Sequence, residues 1–179
     1  MNRIVLCFVF LAVAAMIFAG CQGAKPDLAA MGKAMSEAKS YRMTTVAGGS
    51  ETTMEIECPN KVHTITKAGG MTSEMFVIDT ASYIKAGGKW MQTTGAAPTV
   101  CAKAESFGDT TSGAASPEIT KGESTTINGV ACQQWSLGTA AASTTYCIAA
   151  DNYPVQIKTG AATVTYSDWN KVQVQAPQI

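Results

Sequence analysis

Few residues in this sequence could do chemistry: six cysteines, one histidine and some carboxylates among many hydroxyls. His63 lies in the strand-like run VHTIT, and a lone strand histidine reads as a surface or edge residue. Asp168, in YSDWN, has no second carboxylate at a spacing that suggests acid–base work. A catalytic site needs a nucleophile, a base and a group that orients the base. Neither a GxSxG elbow nor a phosphate-binding glycine loop is present. There is no CxxC pair, and one histidine does not assemble a zinc-type donor set. The sequence therefore predicts a non-enzymatic chain with no catalytic residue, no metal and no cofactor. What chemistry remains rests with the cysteines.

Cys21 ends a distinctive stretch. Residues 1–20, MNRIVLCFVFLAVAAMIFAG, carry one positive charge at Arg3, then an apolar run from Ile4 to Phe18, then Ala19 and Gly20. This reads as a cleaved signal peptide, too short for a comfortable transmembrane helix. Phe18-Ala19-Gly20-Cys21 resembles the lipobox of bacterial lipoproteins. The resemblance implies that the Cys21 thiol receives diacylglycerol, that the leader is cut before it, and that the new amine is acylated, for example with palmitate. The implied partners are lipoprotein-processing enzymes and a membrane held through the N-terminal lipid. Each buried methylene is worth about 0.8 kcal/mol, and stable anchoring takes at least two chains. Residues 21–26 then form a short tether. Gln22 stands where an Asp would signal inner-membrane retention in an enterobacterial-type diderm, which implies an outer membrane location facing the periplasm. The alternative is an uncleaved anchor, or a secreted soluble protein with a chance cysteine.

Cys7 leaves with the leader, so Cys58, Cys101, Cys132 and Cys147 remain. Export places them in an oxidising compartment, where an even number favours disulfides. Three pairings are possible. VACQQWSL (130–137) and STTYCIAA (143–150) read as a hairpin around Gly138, and placing Cys132 opposite Cys147 predicts that bridge. The same register sets Gln133 opposite Tyr146 and Trp135 opposite Thr144. Cys58–Cys101 follows by elimination. With the disulfide on one side, Trp135, Leu137, Tyr146 and Ile148 share the other, apolar side.

Residues 27–179 suit a single domain with a full core. Once Arg3 is removed, acidic and basic groups nearly balance. That leaves no basic footprint for nucleic acid and no polybasic signal for anionic lipid. KPDLAAMGKAMSEAKSY (25–41) reads as an amphipathic helix, with Leu28, Met31, Met35 and Ala38 on one stripe and Asp27 as N-cap. Beyond it nearly everything reads as short alternating strands joined by Gly-rich turns, the pattern of a large antiparallel sheet or barrel. TTMEIEC (52–58), EMFVID (74–79), SYIKA (82–86), WMQTT (90–94), YPVQIK and NKVQVQAP are examples. The exception is 95–122, small and polar, read as a mobile loop in which Val100, Ala104 and Phe107 line a short helix.

ASYIKAGGKWMQ, GESTTINGVACQQWSL, YCIAADNYPVQIK and VTYSDWNKVQVQAP follow one another in order. Together they resemble the lipoprotein-carrier superfamily of LolA, LolB and the mycobacterial LppX and LprG proteins, over residues 26–177. The resemblance implies a mainly β (α+β) fold: an antiparallel half-open β-barrel, hollow and apolar inside, with a covering N-terminal helix. It further implies an envelope protein that binds or carries a lipid or other hydrophobic ligand. The inward-facing candidates are Met54, Ile56, Trp135, Leu137, Tyr146, Ile148, Val155, Ile157, Val172 and Val174. GGMTSEM (69–75) is too polar for the exposed apolar loop of the membrane-anchored member, LolB. The chain is expected to be a monomer, and the alternative function is a non-carrier periplasmic scaffold or sensor that contacts another envelope protein, for instance through Trp90, Trp135 or Trp169.

Overall fold

The computed structural model describes residues 28–95, 101, 118–139 and 142–179. The leader, Cys21, Asp27 and the expected helix through Val100, Ala104 and Phe107 lie outside the described residues. One helix, α1 (Leu28–Glu37), precedes β1 (Ser40–Ala47), β2 (Ser50–Glu57), β3 (Lys61–Ala68), β4 (Met71–Ile78), β5 (Ala81–Ala86) and β6 (Lys89–Thr94). Five more strands follow: β7 (Ile119–Ile127), β8 (Val130–Thr139), β9 (Ala142–Ala149), β10 (Pro154–Thr159) and β11 (Ala162–Ser167). All join one eleven-stranded antiparallel sheet in the order β6-β5-β4-β3-β2-β1-β11-β10-β9-β8-β7. This is the mainly β, half-open barrel with an N-terminal helix that the sequence predicts.

The turns explain why so much of the chain is strand. Two-residue hairpin loops need positive φ at both central positions to match strand twist. Gly48-Gly49 (φ 56° and 78°) and Asn128-Gly129 (φ 51° and 81°) supply it. Between such turns the alternation of apolar and polar side chains fixes register, because a one-residue slip would move every apolar group to the wrong face.

The helix is shorter than the sequence suggests, ending at Glu37 so that β1 can begin at Ser40. Its stripe holds: Met31 is 1% exposed and packs with Trp135 and Ile148, flanked by Leu28, Met35, Ile119 and Tyr146. Two segments depart from expectation. Residues 119–122, assigned to a loop, begin β7. Residues 170–177, expected as a strand, are coil. Positive φ at Asp168 (55°) and Asn170 (60°) turns the chain out of β11. The tail then crosses the end of β1 and β2, where the Val172 amide donates to Ser40 Oγ (3.0 Å) and the Val174 amide to Glu57 Oε2 (2.8 Å).

Both disulfides are present, Cys58–Cys101 and Cys132–Cys147. The β8–β9 register is offset from the expected one. Cys132 faces Ala149, Gln134 faces Cys147, and Trp135 faces Tyr146. The bridge therefore runs diagonally. The offset moves Trp135's partner from Thr144 to Tyr146, two residues along the same face, so the disulfide and the aromatic pair remain on opposite sides.

Candidate functional site

Register decides which side chains share a face. Tyr41 lies opposite Ile56 and Met43 opposite Met54, and β3 continues them with Val62 and Thr64. Val77 and Met75 follow on β4, then Ile84 on β5 and Met91 on β6. On the other flank of β1, Tyr166 faces Met43. Ile157 is opposite both Val164 and Tyr146, and Leu137 is opposite Ile119. This is the inner face, on which α1 sits. Burial falls along it toward the β6 edge, where Met75 is 38%, Ile84 41% and Met91 53% exposed, and at the β3–β4 turn, where Met71 is 75% exposed. Within the described residues, nothing covers this end.

Of the predicted inward residues, the structure brings together Met54, Ile56, Trp135, Leu137, Tyr146, Ile148 and Ile157. Val155 is a correction. A β-bulge between Pro154 and Gln156 interrupts the alternation of β10, as such an extra residue does. Val155 therefore turns to the outer face and packs against Cys132 and Cys147. Val172 and Val174 are the other correction, since they belong to the coil tail and not to a strand of the sheet. Sequence reading missed Tyr41, Met43, Val62, Met75, Ile84, Met91 and Tyr166. The signal for two of them was legible in SYRMTT, where Tyr41 and Met43 alternate with Arg42 and Thr44.

The phenols of the inner face are shaped by burial. Burial raises the Tyr41 and Tyr146 hydroxyls above their ordinary value. Tyr166 is pushed up to about 12, first by burial and then by the neighbouring Tyr41 and Tyr146. Trp169 stacks on Tyr153 (4.4 Å between centroids) and Tyr166 (5.6 Å), and lies 4.9 Å from Tyr41. Trp135 is 9% exposed and Trp90 is half-buried beside Phe76, so the three tryptophans serve packing.

The outer face carries the charge. Arg42 pairs with Asp168, and its Nη2 donates to Glu55 Oε1 at 2.6 Å. His63 corrects the edge-residue expectation. It sits mid-sheet, its side chain 14% exposed, with Nδ1 2.8 Å from Glu55 and Nε2 3.1 Å from Glu74. The ring stacks on Phe76 at 3.9 Å, and Lys85 closes the series on Glu74 at 3.0 Å. Burial works against the charged form of Glu55, but hydrogen bonds from His63 and Arg42 outweigh it and hold that carboxyl low. The bond from Lys85, aided by His63, does the same for Glu74 against a smaller burial effect. A shallow depression at the rim, lined by Val46, Glu51, Lys67 and Met71 among others, contains none of the predicted inward residues.

No family model and no curated protein matches the sequence. Solved structures do. LprF from Mycobacterium bovis aligns with a TM-score of 0.62 at 15% identity, over 87% of this chain and 99% of its own. The Mycobacterium tuberculosis lipoprotein LppX aligns at 0.56 and 14% identity, over 83% of this chain and 98% of its own. At such identity the likeness is one of fold. That fold is the open antiparallel half-barrel with an N-terminal helix that these two structures share.

Proposed function

We propose that this protein is a lipid-anchored component of the bacterial cell envelope that binds a lipid or other hydrophobic ligand on the inner face of its half-barrel, without chemistry on that ligand. The observation that carries the reading is the apolar end of that face, which nothing covers among the described residues, with Met71, Met75, Ile84 and Met91 exposed. Contiguous exposed apolar surface marks an interaction site. Acyl chains gain about 25 cal/mol for each Å² of apolar area removed from water, before ordering costs. Methionine suits such a surface because its unbranched thioether adapts to irregular shapes. Met54, Ile56, Trp135, Leu137, Tyr146, Ile148 and Ile157 would continue the contact toward α1.

The anchor rests on Phe18-Ala19-Gly20-Cys21, and the fold it shares with the lipoprotein LppX supports it. Cys21 carries the lipid, residues 21–26 tether the domain, and Gln22 directs it to an outer membrane where one exists. The test uses a chain starting at Gln22, exported to a periplasm, purified without detergent and weighed by native mass spectrometry. A reproducible adduct of lipid mass, identified after solvent extraction, is the expected result. A bare polypeptide that takes up neither a fluorescent fatty-acid probe nor a fluorescent ester-lipid probe would overturn the carrier reading and leave the scaffold or sensor role.

A further inference from the structure

The inner face is not uniformly apolar. Three tyrosines rise from it on different strands: Tyr41 on β1, Tyr166 on β11 and Tyr146 on β9. Tyr41 and Tyr166 are 6.2 Å apart between ring centroids. Tyr146 shares their face from two strands away, since it is opposite Ile157, which is in turn opposite Val164, two residues before Tyr166. The only tyrosine hydroxyl with a hydrogen-bond partner among the described residues is that of Tyr153, which accepts from Asn170. The hydroxyls of Tyr41, Tyr146 and Tyr166 are nonetheless not sealed off, because no buried side-chain oxygen or nitrogen lacks a partner among the described residues.

An O–H buried against apolar surface without a partner costs free energy, which is why buried tyrosines usually find one. Three partly desolvated donors on one face, from three strands between the α1 end of the inner face and its methionine end, have a use if the ligand brings the acceptor. We propose that Tyr41, Tyr146 and Tyr166 form a donor node that receives the ester carbonyl oxygens of an acylated ligand, so that the protein selects acyl esters over hydrocarbon or ether-linked chains. The acceptor is neutral. The basic side chains Arg42 and Lys85 are committed to carboxylates on the outer face. Lys121 lies beyond Trp135 on the edge strand β7, over the indole. Among the described residues no basic side chain pairs with these tyrosines, so a carboxylate there would lack a counter-charge, whereas a carbonyl needs only O–H donors. Phenols raised above their ordinary value stay protonated, hence donors, throughout the neutral range.

The inference rests on the lipid-binding reading, and one experiment separates the two. The full chain in detergent micelles is offered an equimolar mixture of a dipalmitoyl ester glycerolipid and its dihexadecyl ether counterpart, and native mass spectrometry reads the adduct ratio. The expected result is ester favoured by about tenfold, as one or two hydrogen bonds in a desolvated site confer. Tyr41→Phe, Tyr146→Phe and Tyr166→Phe combined keep every ring, and should bring the ratio near one while total adduct persists. Equal ester and ether adducts in the unaltered chain overturn the node and leave lipid binding standing. No adduct of either kind overturns lipid binding itself. In a second mixture, palmitate outcompeting its methyl ester at pH 8 would overturn the neutral acceptor.

Discussion

Across the outer face of the sheet the groups Asp168, Arg42, Glu55, His63, Glu74 and Lys85 pass from partner to partner over strands β1 to β5. One residue further along the same strands, the inner face carries Met43, Met54, Thr64, Met75, Ile84 and Met91 in register. That row ends in exposed thioethers. Both rows come from the same alternation, yet among the described residues the outer one completes its interactions and the inner one does not. Satisfaction on one side and its lack on the other separate what holds the sheet from what the sheet offers.

The sharpest way to break the contrast is at Trp135, which belongs to both fold and face. Trp135→Ala should cost about 4 kcal/mol in chemical denaturation and reduce lipid uptake together, because it removes the seat of Met31. An unmoved unfolding midpoint would mean that α1 has no structural seat there. Next in size is the outer-face bridge. Replacing Cys132 and Cys147 by Ser opens a loop of separation 15 and should lower stability by about 3 kcal/mol, while lipid uptake stays as before. Loss of uptake at unchanged stability would reverse the roles assigned to the two faces.

A smaller effect, about 1 kcal/mol, is expected for Arg42→Met, since its side chain is 42% exposed and screened by solvent. Its clearest signature is acid sensitivity. The carboxyls of Glu55, Glu57 and Glu74 all lie below the ordinary value of 4.5 in the folded protein. Their stabilisation is therefore present above that value and is lost as pH falls through the lowered native values. Circular dichroism against pH should show the acid midpoint of Arg42→Met moving upward, because Glu55 then keeps only His63. The smallest effect on stability, within about 0.5 kcal/mol, belongs to Met91→Gln at the open end. Uptake of an acyl probe should nevertheless fall, and unaltered uptake would remove Met91 from the binding face.

The inner face was legible from sequence wherever alternation ran unbroken. Met54 and Ile56 in TTMEIEC, and Trp135 and Leu137 in the β8 hairpin, follow directly from period-two patterning. The hairpin register was offset, but toward a pairing that keeps each side chain on its face. Two local events hid the rest. The bulge at Pro154 reversed Val155, and alternation alone carries no sign of an inserted residue. The left-handed turn at Asp168 and Asn170 ended β11 although NKVQVQ alternates well, because the tail's amides are taken by Ser40 and Glu57. His63 was read as a surface or edge residue because neither of its carboxylate partners can be inferred without the pairings of β2, β3 and β4. Those partners lie 8 and 11 residues away.

One feature of the topology bears on how such a sheet is assembled. Every pairing joins strands adjacent in sequence except β1–β11, where the two meanders β1–β6 and β7–β11 meet; β6 and β7 form the two edges. Each meander can zip up locally, turn by turn. The remaining pairing joins groups 126 residues apart, as Arg42 and Asp168 are. Its loop-closure entropy, about 4 kcal/mol beyond a constant term, falls on this single seam. The seam is bolted by the Arg42–Asp168 pair and by Asn170, which accepts from the Lys39 amide at 2.7 Å and donates its own amide to the Ser40 carbonyl at 2.7 Å. The inner face becomes continuous only when the seam closes, so its tyrosine node, drawn from β1, β9 and β11, exists only in the fully assembled sheet.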